Sequence, residues 1–136
     1  MAANVLVDAG FLVAILADRD SNHSWAITVA QQHPPPWATC EAVVSEVFYL
    51  LGRYGASSLM EILRRDTLLC PFRFQGNSRE ILALMQKYAD LPMSFADACL
   101  VRMTEVLPDP ILLTTDTDFR VYRRHSRQTI PCVMPA

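Results

Sequence analysis

Lysine is almost missing from this chain: of its twelve basic residues eleven are arginine, and Lys87 stands alone. A phosphoacceptor receiver domain wants a lysine at the end of a late strand, whereas Lys87 falls inside an expected helix, so that class is excluded. Neither a Walker A loop nor Gly-x-Gly-x-x-Gly is present, so no loop is built to cradle a nucleotide. Gly-x-Ser-x-Gly is absent too, which removes the nucleophile elbow of serine hydrolases. Charged residues interrupt every apolar run well short of the roughly 20 residues of a membrane span. The first residues carry neither the basic start nor the cleavage site of a signal peptide, and the expected location is the cytoplasm. Cys40, Cys70, Cys99 and Cys132 form no Cys-x-x-Cys, so a zinc knuckle is not expected and buried free thiols are.

What remains is a chain of 136 residues, half of it apolar, the size of one ordinary domain spanning 1–136. Its net charge of −2 argues against a general nucleic-acid binder. The distribution qualifies that: Arg120, Arg123, Arg124 and Arg127 crowd one short segment beside His125, and arginine is the side chain suited to bidentate phosphate contacts.

Strand and helix signals alternate along the chain. Asn4 to Val7 reads as a strand, followed by the turn Asp8-Ala9-Gly10 and an apolar helix from Phe11 to Ala17. His23 to Gln32 is an amphipathic helix ended by Pro34-Pro35-Pro36. Trp37 to Thr39 is a second strand, and Glu41 to Arg53 a long helix that contains Glu46. Gly52 and Gly55 bracket an expected turn, after which Ser58-x-x-Glu61 has the form of a capping box for a helix to Arg65. Leu68 to Phe74 is a third strand, with Pro71 pointing to an edge position. Asn77-x-x-Glu80 opens a helix to Ala89, and Ser94 delivers another from Phe95 to Val106, stopped by Pro108 and Pro110. Ile111 to Thr114, a short helix from Asp116 to Arg124, and a last strand from Thr129 to Val133 complete an α/β chain with a parallel sheet covered on both faces.

Five acids stand where this pattern ends a strand or opens a helix, or lie within one: Asp8, Glu46, Asp97, Asp116 and Asp118. Each has a local alternative. Asp97, three residues after Ser94, suits a capping box; Asp116 suits an N-cap; Asp118 suits a first turn; Asp8 suits a tight turn. Glu46 is harder to dismiss, because a carboxylate in an apolar helical stretch is costly without a partner. Residues far apart in sequence converge at the carboxyl edge of a parallel sheet, where such folds place their ligands. Carboxylates some 6 Å apart repel by about 3 kcal/mol per pair at an effective dielectric near 20, so a converged set needs a cation. Hard oxygen donors of this kind hold a divalent metal, Mg²⁺ or Mn²⁺, over a phosphate.

Val5-Leu6-Val7-Asp8-Ala9-Gly10-Phe11-Leu12-Val13-Ala14, the helical Glu46, Ser94-Phe95-Ala96-Asp97-Ala98 and Leu113-Thr114-Thr115-Asp116-Thr117-Asp118-Phe119 resemble the PIN-domain nucleases, and most of all their VapC-type toxin branch. The likeness covers nearly the whole chain in the family's order, and Thr-x-Asp-x-Asp-Phe is its most specific part. It implies a three-layer α/β/α sandwich with a central parallel sheet, and a Mg²⁺- or Mn²⁺-dependent ribonuclease. Asp8, Glu46, Asp97 and Asp116 match the four acidic positions, with Asp118 a neighbouring fifth and Thr114 or Thr115 hydrogen-bonding the cluster or its waters. Haloacid-dehalogenase-like phosphatases also follow the first strand with an aspartate, but they need a second acid where this chain has Gly10.

The expected reaction is metal-assisted hydrolysis of an RNA phosphodiester, with Asp8 and Asp97 closest to the metal and Glu46 and Asp116 completing its shell directly or through water. The segment holding Arg120, Arg123 and Arg124 is the candidate contact for the RNA backbone. Asp20-x-x-His23-x-Trp25 resembles a feature of one toxin subgroup, and helix packing is the expected role of His23. A small antitoxin is the partner the resemblance implies. A homodimer is expected from apolar residues around Gly52 and Gly55, including Tyr49, Tyr54, Leu59 and Met60. The alternative function is a PIN fold that binds RNA or protein without cutting, since activity belongs to the site and not to the fold.

Overall fold

In the computed structural model, which describes residues 4–136, five short strands form one parallel sheet. They are β1 (Val5–Val7), β2 (Trp37–Ala38), β3 (Leu68–Leu69), β4 (Ile111–Leu113) and β7 (Cys132–Val133), in the order β3-β2-β1-β4-β7. Leu6 lies opposite both Ala38 and Leu112, and Leu113 opposite Val133. From β1 the chain winds outward through β2 to β3, and then crosses back to β4 on β1's other side. That reversal makes the carboxyl ends of β1 and β4 the switch point, the place where such folds bind their ligands.

Among the described residues five α-helices cover the sheet: α1 (Ala9–Leu16), α2 (His23–Gln32), α3 (Glu41–Arg64), α4 (Ser78–Lys87) and α5 (Phe95–Val106). Consecutive strand residues point to opposite faces, and Leu6, Val7, Leu112 and Leu113 are all fully buried, so both faces are covered in a three-layer α/β/α arrangement. α1 packs against α2 and α3, and α5 against α4. Phe11 anchors the first group, edge-on to Trp25 at 5.9 Å and to Trp37 at 5.2 Å. No helix among the described residues is long and apolar enough to cross a membrane.

The expected turn between Gly52 and Gly55 shrinks to one residue. Gly52 adopts φ +68° and ψ −169°, which kinks α3, and the helix resumes at once. Ser58 therefore lies inside the helix, and Glu61 pairs with Arg64 and Arg65 (3.1 and 2.7 Å) without reaching back to a cap. Asn77 makes no cap either, because its side chain donates to the Arg73 carbonyl and accepts from Arg102. β3 stops before Pro71 and lies at the sheet edge.

The segment expected as a helix from Asp116 to Arg124 is only a 3₁₀ turn over Thr117–Arg120, followed by β5 (Arg123–Arg124). β5 pairs antiparallel with β6 (Gln128–Thr129) through a tight turn in which His125 and Ser126 take positive φ. The expected last strand is thus split, β6 belonging to this hairpin and β7 to the main sheet.

Candidate active site

The site begins with Asp8, which leaves β1 at the switch point and caps α1. Its Oδ1 accepts from the Ala9 amide at 2.7 Å and its Oδ2 from the Thr114 hydroxyl at 2.7 Å. Only 6% of Asp8 is exposed, and burial pushes its carboxyl up to about 6. The two hydrogen bonds oppose that rise, and the charges of Asp97 and Asp116 add to it.

Thr114, fully buried at the end of β4, also accepts from the Asp116 amide at 3.0 Å, so one hydroxyl links Asp8 to the loop after β4. Asp116 caps the 3₁₀ turn, its Oδ1 accepting from the Asp118 amide at 2.9 Å. Gly10 is required by the same packing: a Cβ there would collide with the Thr115 side chain.

Asp97 sits in the first turn of α5 and closes a capping box. Ser94 Oγ accepts from the Asp97 amide at 3.0 Å, and Asp97 Oδ2 accepts from the Ser94 amide at 3.3 Å. The local alternative is therefore real, and it is also compatible with a site role, since the same carboxylate faces the cluster. Burial raises its pKa, with the Asp116 charge adding to that. Glu46, on an exposed face of α3, is raised by partial burial and then by the charges of Asp97 and Asp116.

Asp8, Glu46, Asp97 and Asp116 thus form one electrostatic cluster drawn from four elements. Asp118 stands beside it, and its charge reaches Tyr122. Among the described residues no three acid, histidine or cysteine side chains meet closely enough to enclose an ion by themselves. The donor set fits a hydrated hard cation, since Mg²⁺ is commonly held by one or two carboxylates while keeping several waters.

Tyr122 is the site residue that sequence reasoning missed. It is fully buried, and its hydroxyl donates to Asp97 Oδ2 at 3.2 Å; burial and then the Asp97 charge raise its pKa, so it remains a donor. Its rings pack against Tyr88 at 5.1 Å and Phe119 at 5.2 Å. Lying among arginines in an apparently polar segment, it carried no periodic signal.

The arginines separate. Arg123 is folded back onto the carbonyls of Arg120, Val121 and Tyr122, and Arg124 onto the Thr104 carbonyl and Gln128. Arg120 is exposed and lines a cleft of about 390 Å³ with Phe119, Thr129, Ile130, Cys132 and Met134. None of the four clustered carboxylates lines it. His23 is engaged in packing, its Nδ1 2.7 Å from the Ala14 carbonyl, while Asp20 accepts from the Asn22 amide.

The fold and site define an α/β protein with a cluster of carboxylates at the sheet's switch point. The family model described as the PIN domain matches residues 5–124, and the chain belongs to that family. A solved structure similar to it is VapC20 of Mycobacterium tuberculosis, described as a toxin that cleaves the sarcin-ricin loop. The two share 20% identity over 86% of this chain and 93% of that one, with a TM-score of 0.72. No curated protein matches the sequence.

Proposed function

We propose that this protein is a single-domain, metal-dependent endoribonuclease acting as the toxin of a toxin–antitoxin pair. The observation that carries the reading is the convergence of Asp8, Glu46, Asp97 and Asp116 from the end of β1, α3, α5 and the loop after β4: Thr114 bonds both Asp8 and the Asp116 amide, and the Asp116 charge adds to the raised pKa of Asp8, Glu46 and Asp97. Such repulsion is relieved by a cation. PIN-domain membership and the RNA-cleaving activity described for VapC20 support RNA as the substrate.

Asp8 and Asp97 are the residues assigned to direct ligation of Mg²⁺ or Mn²⁺, with Glu46 and Asp116 completing the shell directly or through water. Bound there, the ion would supply charge stabilisation at the scissile phosphate and acidify the attacking water. Thr114 fixes the orientation of the Asp8 carboxylate, and Tyr122 does the same for Asp97, so neither must reorganise when substrate arrives. In this scheme water attacks phosphorus and the bond to the 3′ oxygen breaks, that oxygen leaving with a proton, so the products carry a 5′-phosphate and a 3′-hydroxyl. Arg120 remains available for the RNA backbone, whereas Arg123 and Arg124 shape the hairpin that holds Tyr122 and Thr104 in place.

The partners in this reading are RNA, a second copy of the chain and a small antitoxin, in the cytoplasm. Tyr49 and Tyr54, 84% and 93% exposed around the Gly52 kink, are the surface assigned to the homodimer. An antitoxin would place a basic side chain among the carboxylates and so replace the cation.

The test is incubation of purified protein with structured RNAs in Mn²⁺ and in EDTA. Cleavage that stops in chelator and returns with excess Mg²⁺ is expected. Undiminished cutting in chelator would indicate a metal-free ribonuclease, and RNA binding without cutting would favour the non-catalytic alternative.

A further inference from the structure

Two phenylalanines from separate segments meet at the protein surface. Phe74, in the loop before α4, and Phe95, the first residue of α5, lie with ring centroids 5.6 Å apart and planes tilted by 56°. They are 37% and 41% exposed, so their mutual contact leaves much of both rings in water. Both line a cleft of about 100 Å³ with Cys40, Glu41, Phe72 and Cys99.

The cleft lies at the same edge of the sheet as the carboxylates: Phe95 opens α5, whose first turn carries Asp97, and Cys40 precedes α3, the helix that carries Glu46, although Phe95 and Asp97, two residues apart, point to different sides of α5. Along the sheet's carboxyl edge this is the β2–β3 side of Asp8, whereas Arg120 follows β4 on the other side. A strand of nucleic acid running along that edge would meet the aromatic pair on one side of Asp8 and the arginine on the other.

Resting on the nuclease reading, we propose that Phe74 and Phe95 form a stacking platform for one unpaired base of the RNA substrate. Charge selects the base over the backbone. Glu41 at the cleft repels a phosphate, while its carboxylate accepts hydrogen bonds from the amino group of adenine, cytosine or guanine. A base also presents a π-face to an aromatic ring whatever its identity, and stacking of this kind is how single strands are held without a fixed sequence. The pair therefore positions the strand, with the carboxylates performing the hydrolysis.

The test uses the Asp8→Asn protein, which should bind without cutting, and an oligoribonucleotide of alternating uridine and 2-aminopurine, whose fluorescence is quenched by stacking. Phe74→Leu and Phe95→Leu keep apolar bulk but remove the aromatic face, and their melting temperatures establish that the fold survives. Each should weaken binding roughly five- to hundredfold and relieve the quench, while Phe95→Tyr retains both. RNA affinity and quench equal to the parent in both leucine variants would overturn the proposal. The same result with an altered association state would assign the pair to a protein contact instead. Cleavage by the wild-type chain is scored separately. If it cuts while the leucine variants bind normally, only the stacking site falls; if it does not cut but those variants lose binding, the nuclease reading falls and the stacking site stands.

Discussion

The Thr114 hydroxyl donates to the Asp8 carboxylate at 2.7 Å, joining the ends of two adjacent parallel strands across 106 positions of sequence. The same oxygen accepts from the Asp116 amide, so Thr114 sets the relation between two acids of the cluster. Strand pairing between β1 and β4 brings the three residues together, and the buried hydroxyl fixes their orientation.

Replacing that hydroxyl tests its part directly. Thr114→Val preserves shape but leaves Asp8 Oδ2 and the Asp116 amide without this partner, at a cost of about 1–3 kcal/mol. Nuclease activity should fall about 10- to 100-fold, the range for removal of a group that orients a metal ligand. Thr114→Ser, which restores the hydroxyl, should recover most of it. Equal activity in the valine and serine variants would show that the hydrogen bond does not matter to the chemistry.

The raised pKa of Asp8 gives a pH dependence of definite sign. Because the folded-state value is about 6 against 3.8 for the free side chain, ionised Asp8 destabilises the metal-free fold by about 3 kcal/mol above pH 6. That destabilisation fades as pH falls from about 6 and is gone below 3.8. In EDTA at pH 8, Asp8→Asn should therefore be more stable than wild type by about 2 kcal/mol, allowing for a poorer hydrogen bond to Thr114. Denaturant melts at pH 8 and pH 4 should show the gap closing. A variant less stable at pH 8, or a gap indifferent to pH, would refute this electrostatic picture.

Gly10 and Thr115 should behave as a coupled pair. Gly10→Ala drives a methyl group into the Thr115 side chain and should cost about 1–3 kcal/mol. Adding Thr115→Ala empties the space and should restore much of the loss. Chemical denaturation of both single variants and the double variant measures the coupling, and strictly additive effects would mean that Gly10 is constrained by something else.

Much of this organisation was legible in the sequence, for physical reasons that differ by element. Val5–Val7 and Ile111–Leu113 are buried on both faces, so continuous apolar runs announced them. Asp8, Asp97 and Asp116 occupy helix starts, where backbone geometry itself favours an acid and so marks the position. Tyr122 was hidden because its environment is largely tertiary: Tyr88 and Asp97 reach it from distant segments, beside its near neighbour Phe119. Arg123 and Arg124 read as a free basic patch because sequence shows charge and not engagement, and their guanidinium groups bond to backbone carbonyls. The kink at Gly52 occupies one residue, below what turn signals resolve.

The exposed tyrosines give a test of assembly. If Tyr49 and Tyr54 form the contact between copies, Tyr49→Ser with Tyr54→Ser should shift the protein from dimer to monomer in sedimentation, with little change in melting cooperativity. A sedimentation coefficient that does not move would place the contact elsewhere or remove it.

The most direct test of the carboxylate cluster as a cleavage site is Asp97→Asn. Asparagine keeps an oxygen to accept from the Ser94 amide, so the α5 cap and the fold should persist while one formal charge of the cluster is lost. Purified wild type and variant are compared on a structured RNA in Mn²⁺, with circular dichroism and melting recorded on the same samples. Loss of cleavage from a variant that melts at or above the wild-type temperature is the predicted result. Cleavage near the wild-type rate by the folded variant would contradict the assignment of these carboxylates to catalysis.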